Sequence, residues 1–272
     1  MKKLIVMFIV LSFALTGCQS SRAADTSASA APSAADTHGN YTDEMKLPYA
    51  VDLQEYGADS VERQGDHKDS PYFSRLDFYN MESTDTLTIL PRFKTYQQTS
   101  EWSCGVASSL MVLAYYDKLD DYNEQTLAEI RSNGLKEEAT TLKDVVKIFK
   151  TVGGFDILST YDFGSEDAAG EYMSLEQIRA TLAEGKPIIV AWNDWGGHWQ
   201  VIIGYDDMGT DTTQDDVIIV ADSYDTTDHN QDGYGVYSAE RFYYNWTMYD
   251  FFSANYGVDE RAHLFCVVSP AQ

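Results

Sequence analysis

The residues of this sequence best suited to chemistry include a cysteine followed by a glycine. Cys104 lies directly before an apolar run that predicts a helix. A cysteine at the start of a helix lies near free backbone N–H groups and the positive end of the helix dipole, and both lower the pKa of its thiol. Gln98 lies far enough upstream to fold back and place its amide N–H beside the backbone N–H of Cys104, and two such donors would form an oxyanion hole. Gly105 leaves room for an attacked carbonyl group, so the segment indicates a nucleophilic thiol.

A histidine and an aspartate further along the chain complete the set. Residues 199–205 and 217–222 are rich in Ile and Val and predict an antiparallel hairpin, with the polar residues 206–216 as its loop. Pairing would place His198, at the start of one strand, beside Asp222, at the end of the other. The carboxylate would fix the tautomer of the imidazole, whose other nitrogen would face Cys104 as a base or as the cation partner of a thiolate. Each of these residues alone could have an ordinary structural role. A single nucleophilic site would explain the presence of Gln98, Cys104, His198 and Asp222 together.

These residues resemble those of the papain-like cysteine peptidases of the bacteriocin-leader-processing, double-glycine type, including their stand-alone secreted relatives. The resemblance covers about residues 89–268 and rests on the order of the four residues, the interval from Gln98 to Cys104 and the glycine after the cysteine. It implies a papain-like α+β fold, in which an N-terminal helical part carrying the cysteine packs on an antiparallel sheet carrying the histidine and the aspartate. It also implies that Gln98 serves the oxyanion hole, Cys104 is the nucleophile, His198 the base and Asp222 the orienting acid. The sequence departs from transporter-linked members because an extension precedes the catalytic region and we recognise no transporter domain.

The elements that must position these residues can be predicted from hydrophobic periodicity and capping residues. Helices are predicted first along the chain and most strands follow. The predicted helices span residues 104–116, 123–132, 140–152, 174–185 and 238–247, and the predicted strands span 87–91, 187–192, 199–205, 217–222 and 263–268.

The composition excludes two classes of partner. The chain has 19 Lys and Arg against 43 Asp and Glu, for a formal net charge of −24. Nucleic-acid binders present clustered positive charge, and an anionic membrane surface would repel this chain. We therefore expect no nucleic-acid partner, and membrane contact through a lipid anchor alone. The resemblance to cysteine peptidases implies a peptide or protein substrate and no required cofactor.

The N-terminus predicts that anchor. Two lysines precede an apolar stretch over residues 4–15, and small residues lead to Cys18. This pattern resembles bacterial lipoprotein signals, in which residues 1–17 are removed and Cys18 is acylated. Residues 18–40 are predicted to be a disordered tether rich in Ala, Ser and Thr, which would span on the order of 25 Å on average. Residues 41–85 are expected to form an irregular extension before a catalytic domain at 86–272, in a lipid-anchored, extracytoplasmic protein.

Aromatic and glycine residues around the two catalytic segments suggest a substrate groove. The candidates are Trp102, Gly105, Trp195, Gly196, Gly197 and Trp199. Glycine lets a bound peptide backbone approach closely, but aromatic clusters of this kind are more often simple packing. Both interpretations stay open at this point.

A second motif copies the first half of a calcium-binding loop. Asp228, Asn230 and Asp232 place oxygen atoms at alternate positions before a glycine. The closing carboxylate is out of register, since the twelfth position is Ala239 and the nearest acid is Glu240. A solvated turn is therefore the expectation, with calcium as the alternative.

Other functions remain compatible with the same residues. A transglutaminase-like enzyme or a murein-peptide acyl-transfer enzyme would use the same triad, and a binding lipoprotein could retain the fold without catalysis. A disulfide between Cys104 and Cys266 would also remove the nucleophile. The reactivity of Cys104 distinguishes the enzymes from a non-catalytic binding lipoprotein.

Overall fold

The computed structural model describes residues 44–57, 70–194, 196–225, 228, 230–247 and 263–271. The predicted signal and tether, with Cys18, lie outside the described residues, as does Trp195. Within the described part of the chain, no helix combines the length and the apolar character needed to cross a membrane.

The described residues form a sheet flanked by helices. The helices are α1 (Cys104–Tyr115), α2 (Glu124–Ile130), α3 (Leu142–Val152), α4 (Glu166–Tyr172), α5 (Leu175–Ala183) and α6 (Ala239–Thr247). The strands are β1 (Leu87–Ile89), β2 (Phe155–Ser159), β3 (Ile188–Trp192), β4 (His198–Asp206), β5 (Val217–Ala221), β6 (Tyr234–Ser238) and β7 (Leu264–Pro270). Short 3-10 helices span Phe78–Asn80 and Thr160–Asp162.

The strands form an antiparallel sheet. The order is β2-β7-β3-β4-β5-β6, and β1 pairs with β4 outside this path. Every strand pair is antiparallel. The predicted α+β class is therefore confirmed, whereas α4, β2 and β6 were not predicted.

Side-chain caps explain where the predicted helices begin. The side chain of Asn123 accepts a hydrogen bond from the backbone of Thr126 at the start of α2. Thr141 and Ser174 cap α3 and α5 in the same way. Each cap satisfies a backbone donor that the first turn of a helix leaves without a partner. The sequence positions of these caps therefore predicted the helix starts correctly.

Helix α1, which begins at Cys104, lies deep in the molecule. α1 packs on β4, and α1, α2 and α3 contact one another. α5 and α6 contact each other; α5 packs on β4, β1 and β3, and α6 packs on β6, β3 and β5. Nine consecutive residues of α1, from Gly105 to Leu113, are buried. The helix is thus enclosed on almost all sides rather than along one stripe, which fixes the position of its first residue.

The described parts of the predicted extension, 44–57 and 70–85, pack on the rest of the molecule. Backbone hydrogen bonds join Leu47 and Met45 to Thr95 at 2.8 and 2.9 Å. Met45, Phe78 and Tyr79 are buried in the same hydrophobic core as the sheet. The extension therefore contributes apolar side chains to that core.

Candidate active site

Cys104 is the first residue of α1, and the residue as a whole is partly exposed. Ser103 precedes it, but the Ser103 hydroxyl makes no capping hydrogen bond to the helix. Backbone N–H groups at the helix start are therefore left for other acceptors. The thiol accepts hydrogen bonds from the backbone N–H groups of Gly105 and Trp199. The helix start thus supplies one donor to the sulfur and the beginning of β4 supplies another.

His198 begins β4 and bridges the cysteine and the aspartate. Its Nε2 lies 2.7 Å from Oδ1 of Asp222, and its side chain is hydrogen-bonded to Cys104. An ionised carboxylate only accepts hydrogen bonds, so Nε2 carries the proton toward Asp222. Nδ1 is then the nitrogen that faces the sulfur. The predicted placement of His198 between Cys104 and Asp222 is confirmed.

The electrostatics of the three groups support one another. Burial raises the pKa of Cys104, but the hydrogen bond from His198 and the charge of its ring bring the pKa below its ordinary value. Burial lowers the pKa of His198, yet the charge of Asp222 and the hydrogen bond to it raise that pKa well above its usual range. Burial opposes ionisation of Asp222, but His198 lowers the pKa of the carboxyl to about 2. Both shifts act in the direction that favours a thiolate beside an imidazolium over the neutral pair.

Both described cysteines are free thiols, so the alternative of a disulfide between Cys104 and Cys266 is wrong. Cys266 lies in the middle of β7 and is fully buried.

Gln98 is buried in the loop that precedes Cys104. Its Nε2 donates to the carbonyl of Ser100 at 2.6 Å, and its Oε1 accepts from the hydroxyl of Ser223 at 2.7 Å. The backbone N–H of Gln98 also donates to the carbonyl of Ser223 at 2.9 Å. Because Ser223 follows Asp222, these bonds tie the glutamine to the segment that carries the aspartate. The amide orientation is fixed, and the bond to Ser100 uses one of its two hydrogens.

Glu124 supports the loop over residues 96–103, which leads to Cys104. It was not identified from the sequence. This fully buried carboxylate accepts hydrogen bonds from the hydroxyl groups of Tyr96 at 2.9 Å, Thr99 at 2.7 Å and Ser103 at 2.5 Å. It also accepts from the backbone N–H of Thr99 at 3.1 Å. An acidic residue in the first turn of a helix is ordinary in a sequence, which is why Glu124 carried no distinguishing signal.

Gln200 was missed as well, because only the observed strand register places it beside Asp222. Val201 pairs with Ala221 across β4 and β5. Continuing this register by one residue places Gln200, rather than His198, opposite Asp222. His198 lies two residues before Gln200 and reaches Asp222 diagonally. The sequence prediction of the His198–Asp222 contact was therefore right about proximity and imprecise about register.

Three groove candidates serve packing. Trp102 is 8% exposed and lies beneath the guanidinium of Arg131, which is 4.3 Å from the ring centroid. Trp199 is fully enclosed, and its Nε1 donates to the carbonyl of Thr140 at 2.8 Å. A Cβ at Gly105 would lie 2.8 Å from Cβ of Thr140 and 3.0 Å from Cδ1 of Trp199. Close packing thus accounts for all three residues, and their assignment to an open groove is corrected.

The glycines before His198 differ from these packed residues. Gly196 and Gly197 are partly exposed and have φ values of 80° and 124°. Such positive φ angles favour glycine, because a Cβ would clash with the backbone. They remain the described groove candidates, since Trp195 lies outside the described residues.

The turn at Asp228, Asn230 and Asp232 was expected to be exposed to solvent, and this expectation is wrong. Asn230 and Asp232 are buried, because the segment packs beneath Thr95, whose hydroxyl donates to the carbonyl of Asp232 at 2.7 Å. Asp228 and Asp232 accept backbone N–H groups of Asn230 and Tyr234 at 2.6 and 2.9 Å, which are turn-closing bonds that need no metal. Across the described ranges, no group of three or more His, Cys, Asp or Glu side chains is arranged to hold a metal ion.

Comparison with known proteins gives one family. No curated protein matches the chain. Thirteen chains of solved structures match it. One is a double glycine motif protease from an AMS/PCAT transporter in complex with the leader peptide; the match covers 70% of this chain and 97% of that chain, with 16% sequence identity and a TM-score of 0.38. The model of the Peptidase_C39 like family matches residues 91–253, a range that contains Gln98, Cys104, His198 and Asp222. The chain belongs to the Peptidase_C39 like family.

Proposed function

We propose that the protein is a membrane-anchored, extracytoplasmic cysteine peptidase that hydrolyses peptide bonds in a peptide or protein substrate. The observation that carries the proposal is the hydrogen-bonded series Cys104, His198 and Asp222, in which the thiol lies at a helix start. A sulfur held as a thiolate beside an imidazolium is the arrangement required for attack on a carbonyl carbon.

The reaction follows from the positions of the three groups. The Cys104 thiolate attacks the carbonyl carbon, and the negative charge moves to the carbonyl oxygen. His198 then gives its Nδ1 proton to the departing amine, which leaves an acyl group on the sulfur. A water molecule gives a proton to His198 and attacks the thioester, which releases the acid and restores the thiolate–imidazolium pair. Asp222 keeps the ring in one tautomer throughout.

The negatively charged carbonyl oxygen that forms during attack is proposed to lie at the start of α1. The backbone N–H of Cys104 and the second amide hydrogen of Gln98 are the proposed donors. The support for this role is that the amide is buried and held at both ends, by Ser100 and Ser223. Because these donors are fixed before the substrate binds, little reorganisation is needed when charge develops.

The location is proposed from the sequence. Acylation of Cys18 would hold the protein at a bacterial membrane, and residues 19–40 would separate the catalytic region from the lipid by on the order of 25 Å. Acyl chains insert by apolar burial, so the strong negative charge of the chain is compatible with this attachment.

The test uses the full chain, purified in detergent, and a complex mixture of peptides of known sequence. Mass spectrometry records the new termini produced by the unchanged protein, by Cys104→Ala and by the matched control Cys266→Ala. We expect new termini with the unchanged protein and with Cys266→Ala, and none with Cys104→Ala.

The alternatives have different outcomes. Products that carry an added amine in place of water would assign the protein to the acyltransferases. Labelling of Cys104 by an electrophile without any cleavage, across a broad set of proteins and murein peptides, would indicate a binding lipoprotein instead.

A further inference from the structure

Gln200 lies at the centre of a buried polar network next to the triad. It is the third residue of β4, and its side chain is fully buried. Residues two apart in a strand have side chains on the same face, so Gln200 and His198 share a face. A buried amide needs partners for its polar atoms, and each contact of this side chain can be assigned.

The orientation of the Gln200 amide is fixed by a tryptophan. Nε1 of Trp192 lies 2.7 Å from Oε1 of Gln200. An indole N–H is only a donor, so the oxygen of the amide must face Trp192 and the nitrogen must face away from it. That nitrogen lies 2.8 Å from Oδ2 of Asp222. The tryptophan therefore directs an N–H donor at the aspartate.

With this contact, both oxygens of Asp222 have donors. Oδ1 receives the backbone N–H of Tyr224 at 2.8 Å and lies 2.7 Å from Nε2 of His198. Oδ2 receives the Gln200 amide. A carboxylate held at both oxygens cannot rotate about its bond to Cβ without losing a hydrogen bond, and charged hydrogen bonds are among the stronger ones.

The same amide separates two carboxylates. Nε2 of Gln200 also lies 3.1 Å from the hydroxyl of Tyr237 and 3.3 Å from Oδ2 of Asp194. Tyr237 donates its own hydroxyl to Oδ2 of Asp194 at 3.1 Å. A neutral side chain with two N–H hydrogens can serve both sides, which a glutamate or an aliphatic residue at this position could not do. Asp194 lies in the segment just before His198, so the network joins that segment to the triad.

We propose that Gln200 is a positioning residue of the triad: its amide holds the Asp222 carboxylate in the orientation that keeps the His198 ring against Cys104. The inference rests on the proposed function, because it deepens the account of the same site. Gln200 acts through Asp222 and touches no reacting atom.

The test measures the rate at which iodoacetamide alkylates Cys104 as a function of pH. Gln200→Met keeps the length of the side chain and removes its donors. We expect the rate at pH 6 to fall about tenfold, because a lost hydrogen bond to a charged group weakens the support of the imidazolium and so lowers the thiolate fraction. Above about pH 9 the two rates should converge, since an ordinary thiol is then ionised as well. With a cleaved peptide, kcat should fall while KM is unchanged.

Two further variants make the result decisive. Gln125→Met is the matched control, because Gln125 lies on the outer side of α2 and donates to Glu129 at 3.2 Å, and it should leave the pH profile unchanged. Trp192→Phe removes the N–H that orients the amide and keeps an aromatic ring, so it should shift the profile in the same direction by a smaller amount. This variant decides the matter if Gln200→Met fails to fold.

The outcomes separate the two proposals. If the unchanged protein reacts at low pH and neither Gln200→Met nor Trp192→Phe alters its profile, the positioning role is wrong and the peptidase proposal stands. If the unchanged protein reacts only as an ordinary thiol, the proposed function is wrong, and the role of Gln200 falls with it.

Discussion

The two free cysteines of the described chain lie in opposite environments, although burial acts on both. Burial raises the pKa of Cys266 far above its ordinary value, and nearby Asp162 raises it further. Burial also raises the pKa of Cys104, but His198 and two backbone N–H groups more than offset it. The difference teaches that the donors around a thiol decide the direction of its pKa shift here, since burial alone would raise the pKa of both thiols.

Secondary structure accounts for the difference in donors. Cys266 lies between two strands, in register with Ser159 of β2 and Ile189 of β3, so the sheet uses the backbone N–H groups around it. Cys104 lies at a helix start, where the first N–H groups have no partner within the helix. Position within an element therefore leaves backbone donors near the sulfur of Cys104 and none free near the sulfur of Cys266.

The largest loss of Cys104 alkylation and of peptide cleavage is expected from His198→Ala. Without the imidazolium, burial dominates at Cys104, and its pKa should rise toward or above that of a free thiol. Alkylation at pH 6 should fall about 100-fold, which corresponds to about two pKa units, and cleavage should fall by about 10⁴-fold or more. The matched control is His263→Ala. Burial lowers the pKa of His263 to about 4, so this ring carries no charge at pH 6. An unchanged pH profile in His198→Ala would contradict the assignment of His198 as the partner of the thiolate.

Asp222→Ala should have the next largest effect. Asp222 raises the pKa of His198, so its removal should lower that pKa, and the imidazolium should be lost at a lower pH. The high-pH limb of the cleavage profile is therefore expected to move to lower pH. Turnover should fall about 10³- to 10⁴-fold, by several kcal/mol less than in Cys104→Ala, because orientation assists the base and does not replace the nucleophile. Asp228→Ala, in the loop that follows, is the control. A shift of the limb to higher pH would overturn the assigned role of Asp222.

The sequence predicted the residues of the site better than the network around them. The order and spacing of Cys104, His198 and Asp222 were sufficient to predict that these three side chains meet, since a helix start and a hairpin fix their positions. Gln200 could not be identified, because its place opposite Asp222 depends on register, and β4 and β5 change register at an irregularity between Ile202 and Gly204. No hydrophobic pattern reveals such an irregularity.

The secondary structure was also predicted well in some elements and missed in others. Helices with a side-chain cap and a long periodic segment, such as α3 after Thr141, were predicted nearly to the residue. Strand β2 was missed because its alternation is weak and it lies directly after two glycines. The packing role of Gly105 was also beyond the sequence, because Thr140 and Trp199 are distant in the chain and meet only in the folded protein.

Gly105→Ala should affect stability more than chemistry. The added Cβ would lie 2.8 Å from Thr140 and 3.0 Å from Trp199, closer than such atoms normally approach. Overpacking of this kind should lower the free energy of unfolding by about 1–3 kcal/mol, as measured by urea denaturation. Gly164→Ala is the matched control, because nothing lies within 4 Å of a Cβ at that position. Equal stability of the two variants would contradict the close packing around the nucleophile.

Cys266→Ala is expected to have the smallest effect on cleavage and on Cys104 alkylation. It tests whether Cys266 serves only as a packing residue. Removing one buried sulfur leaves a small cavity in the sheet and should cost about 1 kcal/mol of unfolding free energy. Cleavage and the pH profile of Cys104 alkylation should remain within about twofold of the unchanged protein, because in the folded state no catalytic step uses Cys266. Cys266→Ser should lower the unfolding free energy further, since it places a hydroxyl among apolar neighbours. The measurements are urea unfolding and peptide cleavage on the same samples. A tenfold loss of cleavage in a folded Cys266→Ala protein would show that the two thiols are coupled, and the contrast between a reactive and a packing cysteine would then be wrong.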